Sequence, residues 1–453
     1  MRIVTLRPFL LAILFTFAVL QVSAGEFTAI VHGRIIDGGG GTPIENGVVV
    51  VRGDKITAVG PADTVRVPRG ARVIDATGKS VLPGLADMHV HLYGGWDSWH
   101  ADMLGYRRYL NALLYAGNTT VLDLGNSLLY IQQLRQEVFA GRVAGPAIRM
   151  AGPAIDGADP IWPPISIVLT STAQLPVYLR QLKEANVDVV KAYAGLSVPQ
   201  LSALVEASQA QSLRVLVDAG ASRNGTATVA ATGVYAFAHI GGLPVTDEAV
   251  SIMRERKTAS ITTLAVYESH SRRRLADLAF LRAPLLAQTM PPQFVEELTA
   301  YASRSLSAEE KTDVDQWSVR FKAAMANAKR LSDAGILLVA GTDVPGPGIY
   351  YGEALHRELE LLVEAGLTPL QALSTATRNA AVFMNEESQW GTVAAGRKAD
   401  LLIVSGNPAA RISDTRNIEL VMQSGVALDR KSLRFHPAND PGFHPAGATQ
   451  SAE

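Results

Sequence analysis

Hydrophobic and polar residues follow two different patterns along the chain. Over residues 27–74, β-branched runs alternate with glycine-rich turn segments and no helical period appears, which predicts a small β module. From residue 81 onward, short apolar stretches alternate with amphipathic ones, a succession typical of an α/β domain. Strand-like runs return at 391–404 and 418–425. We therefore expect a small β-sandwich domain formed from both chain ends beside a central α/β domain.

Eight apolar stretches in the central region have the length and composition of buried strands. Amphipathic patterns typical of helices lie between them, for example at 131–139, 198–209 and 249–256. Eight repeated βα units over residues 81–341 predict a TIM-type (β/α)8 barrel with insertions. A doubly wound open sheet is the alternative, but no glycine-rich phosphate loop opens the first helix. The predicted strands are 81–88, 119–124, 148–152, 187–192, 214–217, 235–239, 260–266 and 336–341.

The patterns also predict a domain organisation. Residues 267–308, between the seventh and eighth predicted strands, form a long insertion, which is either a lid over the barrel mouth or a pair of surface helices. The other predicted segments are 1–24, a signal peptide; 25–82 with 388–432, the β-sandwich domain; 83–387, the barrel; and 433–453, a disordered tail rich in Pro, Gly, Ala and Ser.

The N-terminus has the features of a secretory signal peptide. Arg2 and Arg7 flank the start of a mostly apolar run over residues 9–22, which is too short to span a membrane as a helix. Val-Ser-Ala at 22–24 is a small-x-small cleavage site. We expect the mature protein to begin at Gly25, to be periplasmic or secreted, and to be free of the membrane. An uncleaved anchor is the alternative.

The composition narrows the function classes. The 453 residues include 41 Lys or Arg and 42 Asp or Glu, a net charge of −1, so no strong field favours nucleic acid. There is no cysteine, which excludes disulfides, thiolate metal ligands and a cysteine nucleophile. A small-molecule substrate is the expected partner, and homo-oligomerisation is left open.

Polar residues with catalytic potential concentrate where the predicted strands end. Residues two apart on an extended strand point the same way, so His89 and His91 can direct two imidazoles at one metal ion. The carboxyl ends of barrel strands are the face that carries the active site in TIM barrels. The candidates at those ends are His89, His91, Lys191, Asp218, His239 and Asp343.

Lys191 has an unusual place in this set. An ammonium at the end of an apolar strand is costly unless it is paired or neutralised. A neutral lysine can react with carbon dioxide, and the resulting carbamate can bridge two cations. A salt bridge to Asp218, Asp343 or Asp123 is the alternative. Asp343, taken alone, is more typical of a helix N-cap, where Asp is a preferred residue.

Together these motifs resemble the amidohydrolase superfamily, in particular its imidazolonepropionase-like and Xaa-Pro dipeptidase-like hydrolases. The similar stretches are 74–91, 352–369, 376–381 and 391–401. By that resemblance, His89, His91 and Asp343 bind the more buried metal. Carboxylated Lys191 bridges to a second metal, which His239 also binds.

Asp218 departs from the family pattern, which has a histidine at this position. Aspartate can bind zinc through oxygen, but it is shorter and adds negative charge. Either the second metal site survives with altered affinity, or Asp218 holds Lys191 as an ammonium and one metal remains. The expected cofactor is one or two divalent ions per chain, with zinc favoured by the nitrogen and oxygen ligands.

The resemblance implies hydrolysis of an amide C–N bond in a peptide-like, N-acyl amino acid or cyclic amide substrate. A metal-activated hydroxide is the expected nucleophile, with Asp343 passing its proton to the leaving nitrogen. Tyr193 is the candidate donor to the oxyanion, with plain packing as the alternative. The predicted substrate-binding residues are Tyr93, Trp96 and His270.

Two further functions are compatible with the same residues. A lactonase or esterase would use the same metals, because carbonyl polarisation serves an ester equally well. A binding protein that lost turnover through the Asp218 change is the other alternative. Amide and ester analogues separate the first two, and binding without product identifies the third.

Overall fold

The computed structural model describes residues 27–97, 100–218 and 224–440. The predicted signal peptide with its cleavage site, and residues 441–453 of the predicted tail, lie outside the described residues. In the described part of the chain, no helix is both long and apolar enough to cross a membrane.

The described residues form eighteen strands and thirteen α-helices. The strands are β1 (Phe27–Ile35), β2 (Ile44–Arg52), β3 (Lys55–Pro61), β4 (Arg72–Asp75), β5 (Lys79–Pro83), β6 (Leu85–Val90), β7 (Asn118–Asp123), β8 (Ala147–Met150), β9 (Ala154–Asp156), β10 (Ser166–Val168), β11 (Val190–Ala192), β12 (Val215–Val217), β13 (Ala236–Phe237), β14 (Ala259–Ile261), β15 (Leu338–Val339), β16 (Leu401–Ser405), β17 (Ile418–Gln423) and β18 (Val426–Ala427). The helices are α1 (Tyr106–Tyr115), α2 (Leu128–Phe139), α3 (Leu175–Glu184), α4 (Val198–Gln209), α5 (Thr226–Ala231), α6 (Asp247–Arg256), α7 (Leu264–His270), α8 (Pro284–Ala287), α9 (Pro292–Ser303), α10 (Ala308–Asp333), α11 (Glu353–Glu364), α12 (Pro369–Thr375) and α13 (Arg378–Met384).

The two chain ends share one mixed sheet. Its order is β18-β17-β16-β5-β1-β2-β3, and β4 pairs with β1. The junction is the antiparallel pair β5–β16, in register from Leu401 opposite Pro83 to Ser405 opposite Lys79. Alternating side chains of these strands are buried in one apolar cluster that includes Val81. The prediction that both ends build one β domain is confirmed.

The central strands close into a barrel. Strands β6, β7 and β8 pair in parallel, as do β9 and β11 to β15, and β8 and β9 are successive parts of the third barrel strand. Backbone hydrogen bonds join the two groups, from Asp188 N to Met150 O at 2.8 Å on one side. On the other side, Met88 N donates to Ala340 O at 3.0 Å. These bonds complete the predicted (β/α)8 barrel, so the fold class is confirmed.

One predicted strand is wrong in its second half. The apolar run over 260–266 leaves the sheet after Ile261, and Leu264 begins helix α7. The cause is the buried carboxylate of Glu358, which accepts the N–H groups of Leu264 at 2.9 Å and Ala265 at 2.7 Å. First-turn N–H groups have no partner within a helix, so this carboxylate stabilises the helical start that the local pattern does not show.

The insertion and residues 433–440 both pack against the barrel. Residues 267–308 are largely helical, and Arg274 forms a salt bridge to Glu353 of α11 at 2.6 Å. The predicted disordered tail begins at residue 433, but Leu433 is buried and Asp440 pairs with the buried guanidinium of Arg108. The tail's composition did not predict these contacts.

Candidate metal centre and active site

The carboxyl ends of β6 and β15 bring two histidines and an aspartate together. His89 Nε2 lies 3.2 Å and His91 Nε2 3.0 Å from the same atom, Oδ1 of Asp343. The N–H of Asp343 donates to the carbonyl of His89 at 2.7 Å, which ties the two strand ends at this point. One potential ligand atom from each residue lies within 4.8 Å of the other two.

In each histidine, the hydrogen bond made by Nδ1 determines whether Nε2 can bind a metal. His89 Nδ1 donates to the carbonyl of Ala238 at 2.8 Å, and His91 Nδ1 donates to that of Gly125 at 3.0 Å. A carbonyl only accepts, so Nδ1 carries a proton, and in its neutral form each ring presents a lone pair at Nε2. His89 Nε2 is buried with no hydrogen-bond partner among the described residues. A bound cation would fit between these lone pairs and the carboxylate oxygen that they face.

Burial and charge act on these groups in opposite directions. Burial holds the pKa of His89 well below its ordinary value. Burial would also lower the pKa of His91, but the hydrogen bond and charge of Asp343 outweigh it and raise the pKa. For Asp343, burial is opposed by the surrounding histidines, which lower its pKa. Asp343 is therefore an anion at neutral pH, as a metal ligand must be.

A second group of ligands lies beside the first. His239 Nε2 is 3.3 Å from Asp218 Oδ2 and 3.9 Å from Asp343 Oδ2. Its Nδ1 is 2.8 Å from the hydroxyl of Thr263, a buried residue whose φ of +46° is rare for a β-branched side chain. Strained backbone of this kind concentrates at functional sites, and here it places the hydroxyl that orients His239.

The charge of Lys191 interacts with Asp218 of this second group and with Asp343. Its side chain is buried, and burial lowers its pKa even though Asp218 and Asp343 act to raise it. Its Nζ is 5.5 Å from the centre of the Tyr193 ring. Burial, together with the charges of the two aspartates, holds the pKa of Tyr193 well above its ordinary value. Tyr193 therefore keeps its proton at neutral pH and can donate it in a hydrogen bond.

Two buried carboxylic acids hydrogen-bond to the segments that carry the metal ligands. Asp123, at the end of β7, accepts the N–H of Leu92 at 2.8 Å and the side-chain amide of Asn126 at 3.0 Å. Asp87 accepts the hydroxyl of Thr342 at 2.7 Å, a bond that joins β6 to the segment after β15. Burial raises the pKa of Asp87 to about 8. Groups behind the ligands fix ligand orientation, and sequence reasoning named neither residue for this role.

The centre opens into a cavity of about 690 Å³. Tyr93 and His270, both predicted to bind substrate, line this cavity. The Tyr93 ring lies 5.6 Å from that of His91, and burial raises the pKa of Tyr93. His270 stacks on Trp317 with 4.3 Å between ring centroids, so α7 and α10 together form one cavity wall.

Trp96, the third predicted substrate-binding residue, does not line this cavity. Its indole N–H donates to Glu297 of α9 at 2.5 Å, and its ring lies 5.8 Å from that of Tyr301. Trp96 therefore packs against the insertion. Gly94 and Ala101 pair in an antiparallel bridge, so the chain turns back after the paired histidines, and sequence spacing alone does not show this.

Sequence reasoning missed much of the cavity lining, including three aromatic residues and an arginine. They come from segments whose approach to the barrel mouth is set by long-range packing. Trp162 donates from its indole N–H to the hydroxyl of Tyr193 at 3.2 Å. For Trp162 and Tyr267 the available signal was an aromatic residue six positions after a strand, whereas Trp317 and Arg320 lie in α10, far from any strand end. The four residues are Trp162, Tyr267, Trp317 and Arg320.

Comparison with known proteins agrees with this geometry. The profile of the amidohydrolase family matches residues 80–428. An imidazolonepropionase of Symbiobacterium thermophilum is 25% identical over 442 residues, covering 85% of this chain and 90% of that protein. The crystal structure of a Xaa-Pro dipeptidase with bound methionine has a TM-score of 0.72 at 21% identity, covering 89% of this chain and 100% of its own.

A second solved structure gives the same result. The putative prolidase from Bifidobacterium longum has a TM-score of 0.73 at 24% identity, covering 90% of this chain and 98% of its own. Members of the family are metal-dependent, in agreement with the His-His-Asp group described above. This chain therefore belongs to the amidohydrolase family and is a hydrolase of carbon–nitrogen bonds.

Proposed function

We propose that this protein hydrolyses the amide bond of a peptide-like, N-acyl amino acid or cyclic amide substrate with one or two divalent ions, zinc being favoured. The observation that carries the proposal is the convergence of His89 Nε2 and His91 Nε2 on Asp343 Oδ1, at 3.2 and 3.0 Å, at the floor of a large cavity. Two neutral imidazoles and a carboxylate are donors that zinc accepts.

When bound, a divalent ion polarises the scissile carbonyl and lowers the pKa of water. The chain's own residues supply the proton transfers. Asp343, ionised at neutral pH, accepts the proton of the attacking water and returns it to the leaving nitrogen. Tyr193, whose hydroxyl is held by Trp162 and stays protonated, donates to the carbonyl oxygen as negative charge develops there.

The second ion depends on Lys191 and Asp218. We propose that Lys191 is carboxylated and that Asp218 replaces the usual histidine as a ligand, beside His239. Support comes from the burial of Lys191, whose charge interacts with Asp218 and Asp343, and from His239 Nε2 and Asp218 Oδ2, which are 3.3 Å apart. If Lys191 instead stays an ammonium, its charge balances Asp218 and a single ion remains.

Metal content tests the centre directly. The protein is purified without added metal, analysed for metal per chain, and analysed again after incubation with zinc and bicarbonate. Two ions per chain support the carboxylated lysine, and one ion restricts the site to His89, His91 and Asp343. His89→Asn should lose metal, whereas His32→Asn, which changes an exposed histidine with a φ that Asn tolerates, should keep it. A chain that stays empty in both preparations would refute the proposal.

Paired substrates test the reaction. Each member of a panel of N-acyl amino acids and dipeptides is assayed beside its ester analogue. Cleavage of the amides supports the proposal. Cleavage of esters alone would identify the lactonase or esterase alternative, and binding without product would identify the binding protein.

We also propose that the protein is exported with cleavage before Gly25. The support is the charged and apolar pattern of residues 1–24. N-terminal sequencing of the protein recovered from a periplasmic fraction should begin at Gly25. An N-terminus at Met1 in a membrane fraction would contradict this and indicate an uncleaved anchor.

A further inference from the structure

The cavity has an uneven distribution of charge. Among the described residues that line it, Arg320 is the only arginine or lysine, whereas the carboxylates of Asp218 and Asp343 lie at the metal centre. Arg320 is exposed, and its guanidinium forms no ion pair within 4.0 Å with a carboxylate of the described residues. Its positive charge is therefore available to a ligand in the cavity.

The side chain of Arg320 is held in place by its neighbours. Its Cζ lies 4.8 Å from the ring centre of Trp317, which in turn stacks on His270. On the other side is Gly242, where an added Cβ would lie 3.0 Å from Cβ and Cγ of Arg320. The stem of the arginine is thus confined between Trp317 and the loop after β13, which restricts where the guanidinium can reach.

The charges and apolar surfaces of the cavity favour one orientation of a bound ligand. An anionic group is attracted by Arg320, the positively charged residue of the cavity wall. Apolar side chains, including Ile161, Trp162 and Val266, line other parts of the cavity. A molecule with an apolar body and one carboxylate can place its amide at the floor and its carboxylate at the arginine.

We propose that Arg320 determines specificity by binding a carboxylate on the part of the substrate remote from the scissile amide. This inference rests on the proposed function. The planar guanidinium matches a carboxylate in a bidentate pair. The preferred substrates are then amides that carry a free carboxylate and an apolar side chain, such as N-acyl derivatives of apolar amino acids, rather than neutral amides.

The test compares ligands that differ only in the carboxylate. The probes are N-acyl leucines of increasing acyl length and their decarboxylated counterparts, the N-(3-methylbutyl) amides. Binding is measured by calorimetry and hydrolysis by kcat and KM, on the metal-loaded full chain. The variants are Arg320→Met, Arg320→Lys and, as a matched control, Lys322→Met, which removes an exposed positive charge on the same helix outside the cavity lining.

The wild-type protein should bind the carboxylate member of each pair about 10- to 100-fold more tightly, the range for a hydrogen bond to a charged group. Arg320→Met should remove that preference by raising KM for the carboxylate member alone. Arg320→Lys should restore part of it, and Lys322→Met should leave it unchanged.

Equal affinity for both members in the wild-type protein would overturn the inference. So would a preference that survives in Arg320→Met, which would place the carboxylate on the metal. If the wild-type protein cleaves no amide, the proposed function fails. The calorimetric preference then still decides the role of Arg320.

Discussion

Glu353 allows the most quantitative prediction. It opens α11, is 1% exposed, and accepts from Arg274 at 2.6 Å and Arg416 at 2.5 Å. Arg274 belongs to the insertion, so this carboxylate fastens the insertion to the barrel. Burial alone would raise its pKa, but the two guanidinium groups outweigh burial and lower the pKa from the ordinary 4.5 to about 2.

The pKa shift of Glu353 determines how much its charge contributes to the free energy of unfolding. Each pKa unit corresponds to about 1.4 kcal/mol, so ionised Glu353 contributes about 3 kcal/mol to the free energy of unfolding at pH 7. Because the pKa is lowered on folding, this stability is present above the unfolded pKa of 4.5 and is lost as the pH falls toward 2. Glu353→Gln also removes the carboxylate partner of the buried Arg274 and leaves Arg416 with Glu360 alone, which brings the expected loss to about 3–5 kcal/mol.

The assay is urea denaturation of metal-free wild-type protein and Glu353→Gln at pH 7 and at about pH 3.5, where the contribution should fall to about 2 kcal/mol. Glu360→Gln is the matched control. Its carboxylate is on the same helix and pairs with Arg416 at 2.5 Å, but its side chain is 21% exposed, so its loss should be smaller. Two results would refute the reasoning. One is a loss of unfolding free energy below about 1 kcal/mol in Glu353→Gln, and the other is a difference between wild type and variant that does not decrease at the acidic pH.

Three further predictions concern the metal centre. In Gly341→Ala the new Cβ would lie 2.8 Å from Cβ of His89, so metal affinity, measured by competition with a chelator, should fall at least about tenfold; unchanged affinity would show that the strand yields instead. Thr263→Val removes the hydroxyl 2.8 Å from His239 Nδ1 and should weaken the second ion about 10- to 100-fold in the same titration, while Thr263→Ser keeps it. Tyr193→Phe should lower kcat about 100-fold with little change in KM, and an equal rise in KM would instead mark it as a binding residue.

Much of the fold was determined by the sequence itself. Alternation between short apolar stretches and amphipathic helices depends on neighbouring residues, so eight strands, a closed barrel and a sheet shared by both chain ends could be predicted locally. The candidate ligands followed from the same reasoning. Parallel strands of a barrel end on one face, which brings Asp343 to His89 and His91 although it lies more than 250 residues after them along the chain.

Tertiary structure alone decided which side chains surround that centre. Trp96 follows the paired histidines closely, yet it packs against α9. Trp317 and Arg320 reach the cavity from α10, beyond the insertion. Glu358, 94 residues away, converts the end of a predicted strand into α7 by accepting the N–H of Leu264. Such outcomes depend on the paths of loops and on contacts between distant segments, and these lie outside the few neighbouring residues whose pattern reports local structure.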